Sequence, residues 1–475
     1  MTAAVEILEV LAAAAWGAVV GFVAGRRLGA QRSAAALLVG VLAAVVLWGQ
    51  AGLLAALLAL APPARALLDL LGAAGAFAAG LWLRRAAVPA GGSVATRSWG
   101  ERPPARRTGA GPALLLLAAL LVYLAVVMEH RAVLPDGGWD AVMIWTLRAR
   151  WLYRTDFDLS RALSPHLAAM HEGAHLDYPL LLPTILARLY SIGGIESQLI
   201  AAAVSAAWGV ACALGLLLAG RILRGGLSGT ILASLYLATP IVSMTAAAGY
   251  ADLLLSALLI QACLWTLLGA TRDDRALLAI GGLFAGAAVC TKNEGALYLI
   301  GFAVGLWCLP LPKSERLRRA ITFGACSLPG VSLAIWTKRL APEGSDLLRP
   351  TGELLAVLGD GSRYLALGLN GLRRPVYFQA WGATLAAVAA ALIALVFHAR
   401  GRLDGRARFL LGVLATAAVG CSAALLTSPH GVAWHVRTAL DRLLLQGYPL
   451  ALLLLASLLE TPARAAAAPP PEGAA

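Results

Sequence analysis

The chain has 475 residues, of which 60% are hydrophobic and only 13% are charged, and its formal net charge is +13. Its mean hydropathy of +0.78 excludes an ordinary soluble domain, because such domains contain about 45–50% apolar residues. The basic residues stand in short loops between apolar runs, without a basic face interleaved with aromatic side chains, and this excludes nucleic acid as a partner.

Apolar runs long enough to span a bilayer recur from end to end, and we expect an all-α polytopic bundle of about 11–13 hydrophobic segments. Three runs occupy residues 1–110: one at the start, one at about 34–61 and one at about 64–83. Arginines follow the first and third runs: Arg26, Arg27, Arg32, Arg84, Arg85, Arg97, Arg102, Arg106 and Arg107. The positive-inside rule places both of these loops in the cytoplasm and therefore the N-terminus outside.

A fourth run, at about 112–128, opens the second predicted unit, a transmembrane module over 111–462. It leads outward into a large external loop, 129–178. A short apolar piece at about 179–192 follows, which is too brief to cross upright and is either tilted or re-entrant. A full run at about 196–219 then reaches basic residues that we place inside.

Two further runs, at about 229–248 and 251–270, form an out-and-back pair. The next run is interrupted by Thr-Lys-Asn-Glu-Gly at 291–295 between basic flanks, which predicts two short helices meeting at Lys292-Asn293-Glu294 near the outer face. External loops are expected at 338–377 and 428–446, and the Ala/Pro/Gly tail at 463–475 is predicted to be disordered.

The first external loop contains two groups of polar residues with open interpretations. Asp140 starts a predicted helix that mixes Trp and Arg, and it is either a capping carboxylate or a reactive group. The loop ends with two imidazoles and two carboxylates within seven residues: His171, Glu172, His175 and Asp177. Such a group could bind a divalent metal ion or a sugar. The alternative, given equal weight, is a solvated polar loop without a binding role.

Ionisable residues also stand at or near membrane depth, at Asp252, Lys292 and Glu294. Each costs several kcal/mol unless it faces a cavity or a partner, so these residues are either functional or a buried ion pair that fixes helix packing. The last external loop contains His430, Trp434, His435, Arg437, Asp441 and Arg442. Arg437 and Arg442 there indicate a bound anion such as phosphate, with membrane anchoring as the alternative.

Five stretches together resemble the C-type superfamily of integral-membrane glycosyltransferases, in the branch of protein O-mannosyltransferases and lipid A aminoarabinose transferases. They are Trp139-Asp140, His175-Leu176-Asp177-Tyr178-Pro179, Gly249-Tyr250-Ala251-Asp252, the stretch from Gly281 to Gly295, and Trp434-His435-Val436-Arg437-Thr438-Ala439-Leu440-Asp441-Arg442. The chain differs from that family in having Tyr178-Pro179 where relatives have two prolines and Trp139-Asp140 where many have Asp-Glu. The acceptor class and a divalent metal requirement therefore stay open.

The resemblance implies an inverting transfer of a sugar from a polyprenyl-phosphate-linked donor to a glycan, lipid or protein acceptor, with Asp140 as catalytic base. Lys292, Arg437 and Arg442 are then the candidates to stabilise the phosphate leaving group. Trp139, His175, Asp177, Tyr178, Tyr250, Asp252, Glu294 and His435 complete the expected substrate site. We expect an integral protein of the bacterial inner (plasma) membrane, in contact with its lipids and active outside; the alternative is a transporter or flippase of a lipid-linked or anionic solute.

Overall fold

The described part of the chain is helical and contains no β-strand, which confirms the all-α prediction. A computed structural model describes residues 2–27, 32–61, 64–71, 110–170, 172–223, 226–341, 351–373, 381–382, 384–399, 403–429 and 431–459. The predicted disordered tail at 463–475 and most of the third run, beyond 71, lie outside these residues.

The N-terminal helices come first in the chain, followed by the segment that was predicted to be external, which we call the first external segment. Their elements are α1 (Thr2–Arg27), α2 (Arg32–Leu57), a helical stretch at 64–71, α3 (Ala110–Val133), a π-helical turn (Ala141–Trp145), α4 (Thr146–Arg154), α5 (Leu159–Ala162), α6 (Pro165–Met170) and a 3-10 turn (Glu172–Ala174). The predicted external loop 129–178 therefore starts about one helical turn later than expected, since α3 continues to Val133.

The remaining helices form most of the bundle. They are α7 (Leu181–Gly193), α8 (Gln198–Leu223), α9 (Gly226–Ala238), α10 (Pro240–Ala248), α11 (Asp252–Arg272), α12 (Arg275–Val289), α13 (Glu294–Trp307), α14 (Lys313–Leu340), α15 (Thr351–Gly359), α16 (Gly361–Arg373), α17 (Thr384–Ala399), α18 (Gly405–Thr427), α19 (Val432–Thr438) and α20 (Leu440–Leu458). The predicted last loop, 428–446, is thus largely helical: it contains α19 and the first turns of α20.

Among the described residues, seven single helices are long and apolar enough to cross a membrane, and α9 with α10 forms one bent pair. Five shorter apolar helices accompany them, among them α7, α12 and α13. The run expected at 229–248 is bent by 58° where α10 begins, because Pro240 lacks an N–H and cannot continue the helix. The interruption predicted at 291–295 is confirmed, since α12 ends at Val289 and α13 begins at Glu294.

The centre of the bundle is α11, whose most apolar 18-residue window is entirely buried. It packs against α8, α12 and α20. The corresponding window of α3 is only 17% buried, and this helix exposes leucines along its length, as a helix at a lipid-facing periphery does. The first turn of α11, which contains Asp252, is therefore buried inside the bundle.

The two ends of α11 differ in charge chemistry. With 21 residues, the helix separates Asp252 from Arg272 by about 30 Å. Just beyond Arg272, Asp273 pairs with Arg318 at 2.7 Å, and Arg319 pairs with Glu315 at 3.0 Å. Side-chain hydrogen bonding and the positive charge of Arg318 lower the pKa of Asp273 despite the opposing effect of its partial burial. The arginine-rich turn and Asp252 therefore lie at opposite ends of the bundle.

Candidate functional site

Asp140 and Arg442, which are 302 positions apart in sequence, form an ion pair that we call the outer pair. Asp140 precedes the π-helical turn with helical backbone angles, and its side chain makes no capping hydrogen bond. It is therefore not the capping carboxylate that one interpretation of the sequence allowed. Arg442 reaches it from the first turn of α20 and lies over the ring of Tyr250, with 5.0 Å between the guanidinium carbon and the ring centre.

The backbone on either side of the outer pair depends on two glycines. Gly138 donates its N–H to the carbonyl of Ala248 at 2.9 Å, and a Cβ at Gly138 would lie 2.7 Å from the Tyr250 ring. Gly249 has a φ of +75°, a left-handed conformation that glycine adopts without strain. Burial raises the pKa of the Tyr250 hydroxyl, and Asp140 raises it further, so this phenol stays neutral. The two segments thereby hold Tyr250 beneath Arg442.

Behind the outer pair lies a group that we call the inner polar cluster: Asp252, Lys292, Asn293, Glu294 and Gln446. The Lys292 ammonium contacts Asp252 Oδ1 at 2.9 Å and Glu294 Oε1 at 3.2 Å. The Gln446 amide donates to the same two oxygens, at 2.7 Å and 3.4 Å. Gln446 lies one helical turn after Arg442 on α20, so the cluster and the outer pair share a helix face.

The break between α12 and α13 is what places Lys292 inside the protein. The carbonyl of Cys290 leaves the helix ladder and accepts the N–H of Leu181 at 3.0 Å, which ties the start of α7 to the break. Gly295 allows the two half-helices to meet closely, because a Cβ there would lie 2.7 Å from the backbone nitrogen of Val289. The Lys292 side chain is only 3% exposed and that of Asp252 is fully buried.

The inner polar cluster has more acceptors than donors. Four of its buried side-chain oxygens have no hydrogen-bond partner in the described part of the chain: Asp252 Oδ2, Asn293 Oδ1, Glu294 Oε2 and Gln446 Oε1. Leaving a buried polar atom unpaired costs about 1–3 kcal/mol, and more for a charged group. The cluster has three donor groups: those of Lys292 and Gln446 share the same two oxygens, and that of Asn293 donates to Asp177 outside the cluster.

The end of the first external segment covers this cluster. Asn293 donates to Asp177 Oδ2 at 3.1 Å, and the ring of His175 meets those of Trp139 and Tyr178, with centres 6.3 Å and 5.8 Å apart. His175 itself has a φ of +44°, a strained value for a residue with a side chain. Burial raises the pKa of the Tyr178 hydroxyl, which therefore stays neutral.

Arg148 on α4 holds that segment in place, although the sequence did not mark it as a site residue. The fully buried guanidinium donates to the carbonyls of His175 at 3.3 Å, Leu176 at 3.3 Å and Tyr178 at 2.8 Å. Burial lowers the pKa of Arg148 to about 10, against the opposing effect of Asp177. Sequence analysis also missed Gln446, whose spacing of four from Arg442 in an apolar helix was the available signal.

His435 and Arg437 have different surroundings. The His435 ring nitrogen Nε2 bonds to Ser428 Oγ, and its ring meets that of Trp434 at 4.9 Å. Arg437 is exposed and forms no hydrogen bond or ion pair with another described residue. The two arginines that were grouped as an anion site thus stand on separate helices, and only Arg442 reaches the outer pair. His171 and His430 lie outside the described residues.

The site as a whole contains four carboxylates, on Asp140, Asp177, Asp252 and Glu294, against three cations, on Arg148, Lys292 and Arg442. In the described ranges, no group of three or more His, Cys, Asp or Glu side chains is arranged to hold a metal ion. Comparison of the chain with protein-family models, with curated proteins and with solved structures finds no match. What the site does must therefore be argued from its own chemistry.

Proposed function

We propose that the protein is a membrane glycosyltransferase that moves a sugar from a polyprenyl-phosphate donor to an acceptor hydroxyl on the extracytoplasmic side. The observation that carries this proposal is the outer pair, which joins a carboxylate and a guanidinium 302 positions apart in sequence at the first turn of a spanning helix. A base and an anion-binding group side by side are what transfer from a phosphate leaving group requires.

Asp140 is the base in this proposal. Its Oδ2 is paired with Arg442, whereas its Oδ1 has no hydrogen bond with another described residue and is available to an acceptor hydroxyl. In the transfer, the acceptor oxygen bonds to the anomeric carbon and its proton passes to Asp140. The bond from that carbon to the phosphate oxygen breaks, and the phosphate leaves with the electron pair. Attack on the side opposite the phosphate inverts the anomeric centre.

Arg442 is the phosphate-binding group in this proposal. Its buried Nε has no hydrogen-bond partner among the described residues, so the guanidinium keeps a donor for a phosphate oxygen while Asp140 holds Nη1. The Tyr250 ring beneath it orients the guanidinium plane. An arginine held in this way suits the planar recognition of phosphate better than a flexible lysine.

The two ends of α11 support the proposed side of the membrane. The arginine-bearing turn around Asp273, with Arg318 and Arg319, stands at one end, and the positive-inside rule assigns such turns to the cytoplasm. The outer pair and the inner polar cluster stand at the other end. This arrangement supports an extracytoplasmic site close to the membrane surface, where the phosphate of a polyprenyl lipid lies.

A transporter or flippase of a lipid-linked solute is the second candidate, and interrupted helices favour it. The α9–α10 pair is bent and the α12–α13 pair is broken, and transporters commonly use discontinuous helices at a binding site. The excess of carboxylates at the site counts against a free anionic solute. This candidate predicts movement of an intact lipid-linked sugar across the bilayer, without a new glycosidic bond.

The deciding experiment is Asp140→Asn in the full chain, reconstituted with a polyprenyl-phosphate sugar and membrane acceptors. We expect transfer to fall by about 10²–10⁴, because the acceptor loses its base. Binding of bare polyprenyl phosphate should persist or tighten, since Arg442 loses its competing partner. Transfer at the wild-type rate would rule out the proposed chemistry, and sugar-lipid movement without transfer would establish the transporter.

Asp158→Asn is the matched control, because Asp158 lies in the same external segment. Its carboxylate caps α5 by accepting from the backbone N–H of Ser160 and of Arg161, and asparagine caps almost as well. Both transfer and protein abundance should remain at the wild-type level in this variant.

A further inference from the structure

The inner polar cluster is suited to binding a ligand that carries hydrogen-bond donors. Its unpartnered oxygens come from α11, from the α12–α13 break and from α20, so they are not one local feature of the chain. Asp252 and Gln446 are completely buried, yet each keeps an acceptor without a partner in the described protein. Hydroxyl groups of a sugar are donors of the required kind.

A metal ion fits this cluster less well than hydroxyl groups do. The Lys292 ammonium already lies between Asp252 and Glu294, at 2.9 Å and 3.2 Å from their oxygens. A metal ion bound by the same carboxylates would be repelled at short range by the positive charge of Lys292. No metal-binding arrangement of His, Cys, Asp or Glu side chains occurs in the described ranges.

The charge balance also restricts the ligand. Asp177 and Asp140 add two carboxylates next to those of Asp252 and Glu294, and three cations oppose these four carboxylates: Lys292, Arg442 and Arg148, which interacts with Asp177. Arg442 lies nearest Asp140 and is the group assigned to the phosphate, so the cluster beneath it has an excess of negative charge. A carboxylate on the incoming sugar would be repelled there, in surroundings where water does not screen the interaction.

We therefore propose that the inner polar cluster recognises the hydroxyl groups of the transferred sugar and selects a neutral sugar over an acidic one. This inference rests on the proposed function, since it treats the site as that of a polyprenyl-phosphate donor. Asp252, Asn293, Glu294 and Gln446 supply the acceptors, and Lys292 keeps the two carboxylates in place.

The test is equilibrium binding to the full chain in lipid nanodiscs, with three probes that share one polyprenyl chain. They carry phosphate alone, phosphate-linked glucose, or phosphate-linked glucuronic acid, so the two sugars differ only at C6, where a carboxylate replaces the hydroxymethyl group. We expect the glucosyl lipid to bind about tenfold more tightly than the glucuronosyl lipid, the scale of one buried charged contact. Equal binding of the two sugars would overturn the inference.

Two variants locate the effect in the cluster. Gln446→Leu should weaken binding of the glucosyl lipid about tenfold and leave binding of bare polyprenyl phosphate unchanged, because the amide faces the cluster and not Arg442. Glu294→Gln removes one negative charge with little change in shape and should narrow the preference between the two sugars. Failure of both variants to alter either sugar affinity would contradict the assignment.

Gln261→Leu is the control for the general effect of replacing a buried glutamine with leucine. Gln261 lies on the central helix α11, is as buried as Gln446, and accepts from Trp265 Nε1 at 3.0 Å, away from the cluster. It should leave all three affinities unchanged.

Loss of sugar binding on adding a chelator, restored by Mg²⁺, would show that a cation is the ligand and overturn the inference.

The same probes separate this inference from the proposed function. If glucosyl and glucuronosyl lipids bind and react equally, and Asp140→Asn still abolishes transfer, the inference fails and the glycosyltransferase stands. If neither sugar lipid nor bare polyprenyl phosphate binds, the proposed function fails and the inference falls with it.

Discussion

The inner polar cluster can be compared with a second buried ionic group, which we call the Arg188 cluster. Arg188 on α7 pairs with Glu9 of α1 at 2.5 Å and with Asp69 of the 64–71 stretch at 2.6 Å. It also donates to the carbonyl of Trp48 on α2 at 2.6 Å and lies over that residue's ring, 4.5 Å from its centre. Both groups unite distant parts of the chain around one buried cation.

They differ in how completely their polar atoms are paired. Among the described residues, no charged side-chain atom of the Arg188 cluster is buried without a partner, although the uncharged Trp48 Nε1 is, whereas the inner polar cluster leaves four acceptor oxygens unpaired. A buried ionic group whose members are paired with one another contributes to helix packing. A group that leaves acceptors unpaired is destabilised, and a bound ligand that donates hydrogen bonds to those acceptors removes the destabilisation. The comparison therefore supports an architectural role for the Arg188 cluster and the proposed binding role for the inner polar cluster.

The Arg188 cluster also attaches the N-terminal helices to the rest of the protein. Helix α7 begins shortly after Tyr178, and Gly49 and Gly52 of α2 allow close packing on it: a Cβ at Gly52 would lie 2.7 Å from Arg188 Cδ. The N-terminal region 1–110, which sequence analysis left without a role, thus braces the helix that follows the site segment.

Arg188→Met should have the largest effect on stability. It leaves Glu9 and Asp69 buried without their cation, and we expect the free energy of unfolding to fall by about 3–5 kcal/mol. Unfolding of the full chain in mixed detergent–SDS micelles measures this. The triple variant Glu9→Gln, Asp69→Asn, Arg188→Met should recover most of the loss. A single variant as stable as the wild type would remove the architectural assignment.

Gly138→Ala should have an intermediate effect, and it reaches the site without changing any charge. The new methyl group would collide with the Tyr250 ring, displacing it from beneath Arg442, at a cost of about 1–3 kcal/mol. Sugar transfer should fall together with the unfolding free energy. Gly368→Ala on α16, where nothing lies within 4 Å of the added Cβ, is the control and should not lose stability.

Arg437→Gln should have the smallest effect. The side chain is exposed and makes no hydrogen bond or ion pair with another described residue, so we expect a stability change within about 0.5 kcal/mol and unchanged transfer. Kinetics of transfer with the glucosyl lipid measure this against Arg442→Gln, which should be strongly impaired. A fall in transfer for Arg437→Gln comparable to that for Arg442→Gln would assign the donor phosphate to both arginines.

The amino-acid sequence alone determined that this is a helical membrane protein, because the number and length of apolar runs decide which segments can span a bilayer. It also located the broken helix at 291–295, since a Lys-Asn-Glu triplet halfway along one apolar run cannot remain in lipid as a continuous span. The charged residues it singled out at membrane depth, Asp252, Lys292 and Glu294, stand beside apolar runs, where an ionisable group is expensive to bury.

Only the tertiary structure decided how these charges are paired. Asp140 meets Arg442 across 302 positions, Arg188 gathers partners from three other elements, and Gln446 joins the inner polar cluster although its predicted position was in a loop. The sequence separated Arg437 and Arg442 by only five positions, yet a helix boundary at Ala439 divides them. Hydrophobicity is a local property of a segment, whereas the partner of a buried charge depends on which helix faces pack together.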